Sequence, residues 1–258
     1  MTDGLAARGL RIAYGGNVAV SDATFAAPLG RITGLIGPNG AGKTTTFNAC
    51  NGLLRPTAGS VHLFGREATG LSAAARARAG LGRTFQQVQV CTNLTVRENV
   101  ALGAEVRLIG RNPIRQFLGG PGQHREVRAR TDEALAACGI AAMAERRASM
   151  LSTGQRRLLE LARVLAGGFR MLLLDEPSSG LDEAETERFG EILRHTVAER
   201  GVGILIVEHD MPLVMSICDY VHVLDFGTMI FAGTPAETQS SDIVRHAYLG
   251  EVETAGPA

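Results

Sequence analysis

A chain of 258 residues is long enough to bury a substantial core, either as one domain or as a core carrying an inserted subdomain. It is 45% hydrophobic and 20% charged, with 26 basic against 26 acidic residues. That balance lacks the basic excess of a nucleic-acid-binding surface, so no nucleic-acid partner is expected.

No apolar run approaches the ~18 residues a membrane-crossing helix needs, and the start, MTDGLAARGL, has no signal-like apolar core. Cys50, Cys91, Cys138 and Cys218 show no paired spacing, which predicts buried, reduced thiols. Residues 5–35 alternate short apolar segments with turns at Gly15-Gly16 and Leu29-Gly30, the pattern of antiparallel strands joined by a hairpin. Residues 31–36 form a strand that runs into a glycine loop. A helix is predicted over 43–53 and a short strand over 61–64.

The loop itself, Gly37-Pro38-Asn39-Gly40-Ala41-Gly42-Lys43-Thr44, matches G-x-x-x-x-G-K-[ST] between a strand and a helix. Its glycines let the backbone wrap a phosphate chain, which the N–H groups of the helix start then bind. Lys43 reaches the β- and γ-phosphates and the Thr44 hydroxyl contacts Mg²⁺. The chain holds 25 arginines and one lysine, and that lysine is Lys43. Lysine is a compact point charge on a flexible stem, whereas arginine is a planar fork, so the retained lysine marks a position where the two do not interchange.

Residues 95–166 are rich in alanine, leucine and arginine at helical spacing, interrupted by a loop over 110–123. The arginines at 107, 111, 115, 125, 128 and 130 are expected to form a solvated helix face. Strand and helix then alternate. Residues 170–175 and 203–208 are near-continuous apolar strands of the kind found in a parallel sheet covered on both faces. The first ends in Asp175 and Glu176, which places carboxylates at the sheet edge where open α/β folds bind ligands. Asp175 there holds Mg²⁺ through water, and Glu176 orients or deprotonates an attacking water. The second strand ends in Glu208-His209-Asp210, bringing His209 to the same edge. Strands over 220–225 and 229–232 and a closing helix over 235–249 complete the chain.

Leu151-Ser152-Thr153-Gly154-Gln155, followed by Arg156-Arg157-Leu158-Leu159-Glu160-Leu161-Ala162-Arg163, closely resembles the signature segment of ATP-binding cassette (ABC) proteins, which in most members reads LSGGQ. It stands between GPNGAGKT and LLLLDEP, and the likeness covers essentially the whole chain. The resemblance implies an α/β fold, a P-loop NTPase (RecA-like) core with an N-terminal antiparallel β subdomain and an inserted α-helical signature subdomain. One domain is expected over 1–258, with residues 1–90 and 167–258 as the nucleotide-binding core and 91–166 as the insertion.

The resemblance also implies roles for individual residues. Tyr14 stacks on adenine, and Gln86, with Gln87 beside it, is the glutamine that touches Mg²⁺ or water and communicates with a membrane partner. Thr45 lies with Thr44 at the end of the phosphate loop. Ser152, Gly154 and Gln155 clasp the γ-phosphate of a nucleotide held by a second cassette. Asp182 belongs to the loop Ser179-Gly180-Leu181-Asp182, and His209 is the switch histidine. Thr153 replaces the commoner glycine, and a positive φ there would be strained.

Within the family, the RTFQ, VEHDM and AYLGE wording and the 103–130 insertion are most similar to ATPase subunits of branched-chain amino acid importers. ATP and Mg²⁺ are the implied cofactors. The implied partners are a second identical or related ATPase subunit, integral membrane permease subunits and, indirectly, a substrate-binding protein. The implied location is the cytoplasmic face of the cell membrane. Importers of urea or other solutes, exporters, and soluble ABC ATPases are the alternatives.

Overall fold

Strands β3 (Ile32–Ile36), β7 (Met171–Asp175) and β8 (Gly203–Val207) are buried at every residue. Such strands form only where layers cover both faces of a sheet. The computed structural model, which describes residues 3–84, 89–109 and 121–253, supplies those layers. One apolar cluster takes Ile32, Ile36, Leu172, Leu174, Ile204 and Ile206. The other takes Leu35, Leu173, Leu205 and Val207, so strict alternation along each strand feeds both cores.

The described sheet has ten strands in the order β5-β4-β1-β2-β10-β9-β3-β8-β7-β6. Strands β9 (Tyr220–Asp225), β3, β8, β7 and β6 (Leu81–Arg83) are parallel neighbours. Strands β1 (Gly4–Tyr14), β2 (Asn17–Pro28), β4 (Ala58–Leu63) and β5 (Arg66–Glu67) pair antiparallel, and β10 (Thr228–Gly233) joins the two halves. The β1–β2 hairpin turns at Gly15-Gly16 with Tyr14 opposite Asn17, as the turn residues predict.

Helix α1 (Lys43–Asn51) follows the glycine loop, and α2 (Ala73–Ala79) precedes β6. Helices α3 (Val96–Ile109), α4 (Pro121–Ala137) and α5 (Thr153–Ala166) pack on one another. Their Val96, Val100, Leu135, Leu159 and Leu161 join the cluster that holds Ile32 and Ile206, so the helical segment shares a core with the sheet. Helices α6 (Glu183–Arg200), α7 (Met211–Ile217), α8 (Pro235–Ser240) and α9 (Asp242–Glu253) complete the described α-helices.

Four expectations are corrected. Of the loop predicted over 110–123, residues 121–123 belong to α4, because Pro121 opens that helix, where a missing N–H costs nothing, and residues 110–120 lie outside the described residues. The closing helix is two helices. Ser241 adopts an extended conformation after α8 and its hydroxyl accepts from Val244 N (3.5 Å), restarting the chain as α9. Cys91 is exposed, whereas Cys50, Cys138 and Cys218 are buried with thiols pushed up to about 12, mainly by burial. Finally, Thr153 is the first helical residue of α5 and is not among the non-glycine residues with positive φ, which in the described chain are Phe64, Glu176 and Phe226. The strain expected there is absent.

Candidate functional site

Register brings the predicted residues to one edge. Val207 lies opposite Leu35 on β3 and opposite Asp175 on β7, so the carboxyl ends of the three strands are level. The glycine loop leaves β3 at Gly37, Glu176 leaves β7, and His209 follows β8 by two residues, all at this edge. Open α/β sheets bind ligands at such an edge.

The loop is shaped for close approach. Gly37 has φ 149°, and a Cβ there would fall 1.9 Å from the Leu224 carbonyl oxygen, so only glycine fits. Gly40 and Gly42 take φ of 79° and 97°, the left-handed region that lets the chain curl into a cradle. Gly42 is the N-cap of α1 and offers no side-chain cap, and the first turn carries no acid. The leading N–H groups and the positive end of the helix dipole are thus presented to an anion. Lys43 is buried, with its Nζ donating to the carbonyls of Gly37 (2.6 Å) and Pro38 (2.8 Å). The ammonium therefore lies over the loop's own backbone. Thr44 is exposed and Thr45 half-buried, while Asn39 and Gly40 form the exposed crest between buried Pro38 and Ala41.

Around Asp175 lies a group of buried and half-buried charges. Asp175 is 3% exposed, its backbone N–H donates to Thr84 Oγ1 (3.4 Å), and its Oδ1 has no hydrogen-bond partner. Burial, then the neighbouring Glu176, push its carboxyl up to about 6, and Arg83 opposes that rise. Arg83 is itself held below the usual guanidinium range by burial, against the pull of Asp175 and Glu160. Glu160 pairs with Arg157 at 3.5 Å inside the protein, and Arg157 Nη2 reaches the Ser179 carbonyl at 3.5 Å. Buried charge thus links the signature helix α5 to Asp175 and to the loop before α6.

Glu176 has φ 45°, a costly backbone conformation for a residue with a side chain. Its N–H donates to the Val207 carbonyl (2.8 Å), and its Oε1 lies 3.9 Å from His209 Nδ1. His209 is largely exposed, so its imidazole faces the open side of the edge. These distances bring together the carboxylate that the strand end offered for water activation and the histidine to which the family resemblance gives the switch role.

The signature segment is arranged differently. Ser152 caps α5 in a reciprocal box: its hydroxyl accepts from Gln155 N (3.2 Å) and its N–H donates to Gln155 Oε1 (3.1 Å). Ser152 and Thr153 are exposed, while Gly154 is buried against Glu185 of α6, whose Oε1 lies 2.2 Å from the place a Cβ would take. Asp182 caps α6 through Glu185 N (2.8 Å), so its carboxylate already serves a structural role. Helix α5 packs on α3 and α4, and α1 on β1, β2, β7 and β8.

Tyr14 ends β1 and is 54% exposed. Gln86 and Gln87, together with Arg111 and Arg115, lie outside the described residues. Arg125 and Arg128 are exposed, in keeping with a solvated face, but Arg130 is half-buried and paired to Glu126 at 2.7 Å. The half-buried Arg83 and the buried Arg157 and Glu160 received no role from the sequence. For Arg157 and Glu160, both on α5, the signal was a charge at a helix position spaced for the core, but that spacing does not say which opposite charge it meets; Arg83 ends the three-residue strand β6, which is too short to show a spacing.

A nucleotide with a divalent cation fits these residues. An uncapped helix start, an ammonium over the loop and an unpartnered carboxylate oxygen at the strand end are the donor and acceptor types that a phosphate–Mg²⁺ pair needs. Among the described residues no group of three His, Cys, Asp or Glu side chains can hold a metal alone. Mg²⁺ is commonly bound by one or two carboxylates together with substrate phosphates.

Known proteins resemble this chain along most of its length. A family model described as "ABC transporter" matches residues 20–179. The chain is 38% identical over 250 residues to the high-affinity branched-chain amino acid transport ATP-binding protein LivG of Salmonella typhimurium, covering 96% of this chain and 98% of that one. It is 34% identical over 251 residues to the lipopolysaccharide export system ATP-binding protein LptB of Acidithiobacillus ferridurans, covering 97% and 98%. The solved ADP conformation of MJ1267, an ATP-binding cassette of an ABC transporter, superposes with a TM-score of 0.84 at 26% identity, covering 97% of this chain and all of that one.

Proposed function

We propose that this chain, which belongs to the ABC transporter family and is one of its ATP-hydrolysing subunits, energises import of branched-chain amino acids or similar small solutes from the cytoplasmic face of the cell membrane. The observation that carries the cargo class is the 38% identity to LivG across nearly the whole of both chains. Among the described residues no helix is long and apolar enough to cross a membrane. A membrane-embedded permease therefore has to supply the passage, and a substrate-binding protein delivers the solute to it. An exporter is the second reading, favoured by the 34% identity to LptB.

The residues divide the work. Tyr14 stacks the adenine, the 37–45 loop wraps the phosphates, and Lys43 leaves its loop carbonyls for the β- and γ-phosphate oxygens. Thr44, Asp175 and Gln86 would hold Mg²⁺, which neutralises charge on the phosphates. Glu176 orients the attacking water and takes its proton. The water oxygen bonds to the γ-phosphorus as the bond to the β-phosphate oxygen breaks, and ADP leaves with the electron pair. His209, 3.9 Å from Glu176, orients the γ-phosphate side of the site.

Ser152, Gly154 and Gln155 sit at the start of a helix whose packing partners differ from those of α1. We assign them to the nucleotide of a second, identical or related subunit, so that two chains enclose two ATP molecules and hydrolysis releases the pair. Asp182 joins that interface from its capping position.

Two measurements test this. Deleting the gene should lower uptake of leucine, isoleucine and valine in the producing cell. Unchanged uptake of small solutes together with a lipid-export defect would move the chain to the second reading. Glu176→Gln, which keeps size and hydrogen bonding, should bind ATP and form a long-lived dimer seen by light scattering, lost in ADP and weakened by Ser152→Arg. Full hydrolytic activity in Glu176→Gln would refute the assignment of the base.

A further inference from the structure

Glu208 is a carboxylate with no solvent exposure, placed directly after β8 and given no task by the scheme above. A buried carboxylate persists only when its oxygens are bonded. Here Oε1 accepts from the backbone N–H of Ser178 at 2.8 Å, and Oε2 accepts from the backbone N–H of His209 at 3.1 Å. The His209 Nδ1 lies 3.9 Å from this same Oε2 and 3.9 Å from Oε1 of Glu176. One side chain thus touches the turn beyond Glu176 and the histidine that faces it.

The reason for such an anchor lies in Glu176. Its φ of 45° is costly, and a strained residue holds that conformation only where its surroundings over-determine it. On its N-terminal side, the Glu176 N–H is fixed to the Val207 carbonyl at 2.8 Å. On its C-terminal side, Ser178, two residues on, is fixed to Glu208. Val207 and Glu208 are consecutive, so the end of β8 grips the strained residue from both sides. The geometry points to Glu208 as a positioning residue for hydrolysis, one that locks the Glu176 backbone and sets His209 opposite it.

Removing the carboxylate orphans the buried Ser178 N–H, and Glu176 and His209 lose the group that fixes both. The phosphate loop, which binds ATP, hangs from β3 and keeps its contacts. The defect should therefore fall on turnover and spare nucleotide binding. This inference rests on the reading of Glu176 as the base.

The test measures kcat, KM for ATP and binding of a fluorescent ATP analogue, each well below the variant's melting temperature. Glu208→Ala, which loses both bonds, should lower kcat by roughly tenfold or more, the scale of a displaced catalytic group. KM and analogue binding should stay within about twofold of the parent, since the loop is not altered. Glu208→Gln is nearly isosteric, but its single oxygen meets only one of the two N–H groups, so its kcat should fall between parent and Glu208→Ala. If Glu208→Ala does not fold, Glu208→Gln carries the test alone. A Glu208→Gln protein with parental kcat overturns the inference, as does a loss that appears in KM and analogue binding while kcat is kept. Glu176→Gln measured in parallel separates the two claims. Parental activity there removes the base assignment itself, whereas an inactive Glu176→Gln beside a parental Glu208→Gln removes only the role of Glu208.

Discussion

Two helix starts in this molecule are assigned to phosphate, and they are built on opposite plans. Helix α1 begins after Gly42 with no side-chain cap, and helix α5 begins after Ser152 with a complete capping box. The first leaves its leading N–H groups to a ligand and depends on glycines at φ 79° and 97° to turn its loop. The second is satisfied within its own chain and is wedged against α6 through Gly154 and Glu185. The difference teaches that the phosphate loop gives up stability for binding, whereas the signature helix is finished before any nucleotide or second subunit arrives.

The comparison is broken most severely at Lys43. Lys43→Ala should abolish ATP binding and the thermal stabilisation that ATP confers, read as the shift in Tm with saturating nucleotide. With ligand at a hundredfold over Kd that stabilisation is about 2.7 kcal/mol in the parent. As Lys43 is the sole lysine, amine labelling should mark only this residue and the terminal amine, with ATP protecting Lys43.

Gly37→Ala should come next. A Cβ at 1.9 Å from the Leu224 carbonyl oxygen cannot be accommodated without moving backbone, and the φ of 149° adds strain. A loss of roughly 3 kcal/mol or more in unfolding free energy is expected, comparable to other severe steric changes. Gly40→Ala, with open space around its Cβ, should lose only about 1 kcal/mol, from its left-handed φ of 79°. Denaturant titration of the two variants checks the contrast.

Asp175 sharpens the idea of stability given up at the loop. Its folded carboxyl titrates at about 6 against an ordinary 3.8, so above pH 6 the nucleotide-free fold keeps a buried charge at a cost on the order of 2–3 kcal/mol. A raised folded value makes its contribution most favourable below pH 4 and lost as pH rises through 6. Asp175→Asn should therefore raise the Tm of the nucleotide-free protein at pH 8, and the gap to the parent should close as pH falls from 6 to 4. A gap that widens on acidification would contradict the burial argument.

The smallest effect belongs to the finished helix. Ser152→Ala removes one cap and should lower stability by about 1 kcal/mol with ATP binding to the isolated subunit unchanged. The same substitution should slow hydrolysis where two subunits meet, so the ratio of those two effects separates capping from contact with nucleotide.

Much of this was legible in residue order. Gly37 to Thr44 announced a phosphate loop because its chemistry is local: a turn, an uncapped helix start and one ammonium within eight residues. Residues 171–175 and 203–207 announced a covered parallel sheet because strands buried on both faces have no polar alternation. Ser152 and Gln155, three residues apart, form a capping box that the structure shows and that was not drawn from the sequence. Short elements such as α2, β6 and α7 were not legible, since three to seven residues hold too little periodicity against their turns. The tertiary structure alone decided what depends on register and on burial. It set Asp175 level with Val207, left an Asp175 oxygen unpartnered, bent Glu176 to φ 45° and buried Glu208 between Ser178 and His209. A sequence specifies which groups carry charge, but how much water each one loses, and which partner replaces that water, depends on segments that meet only once the chain has folded.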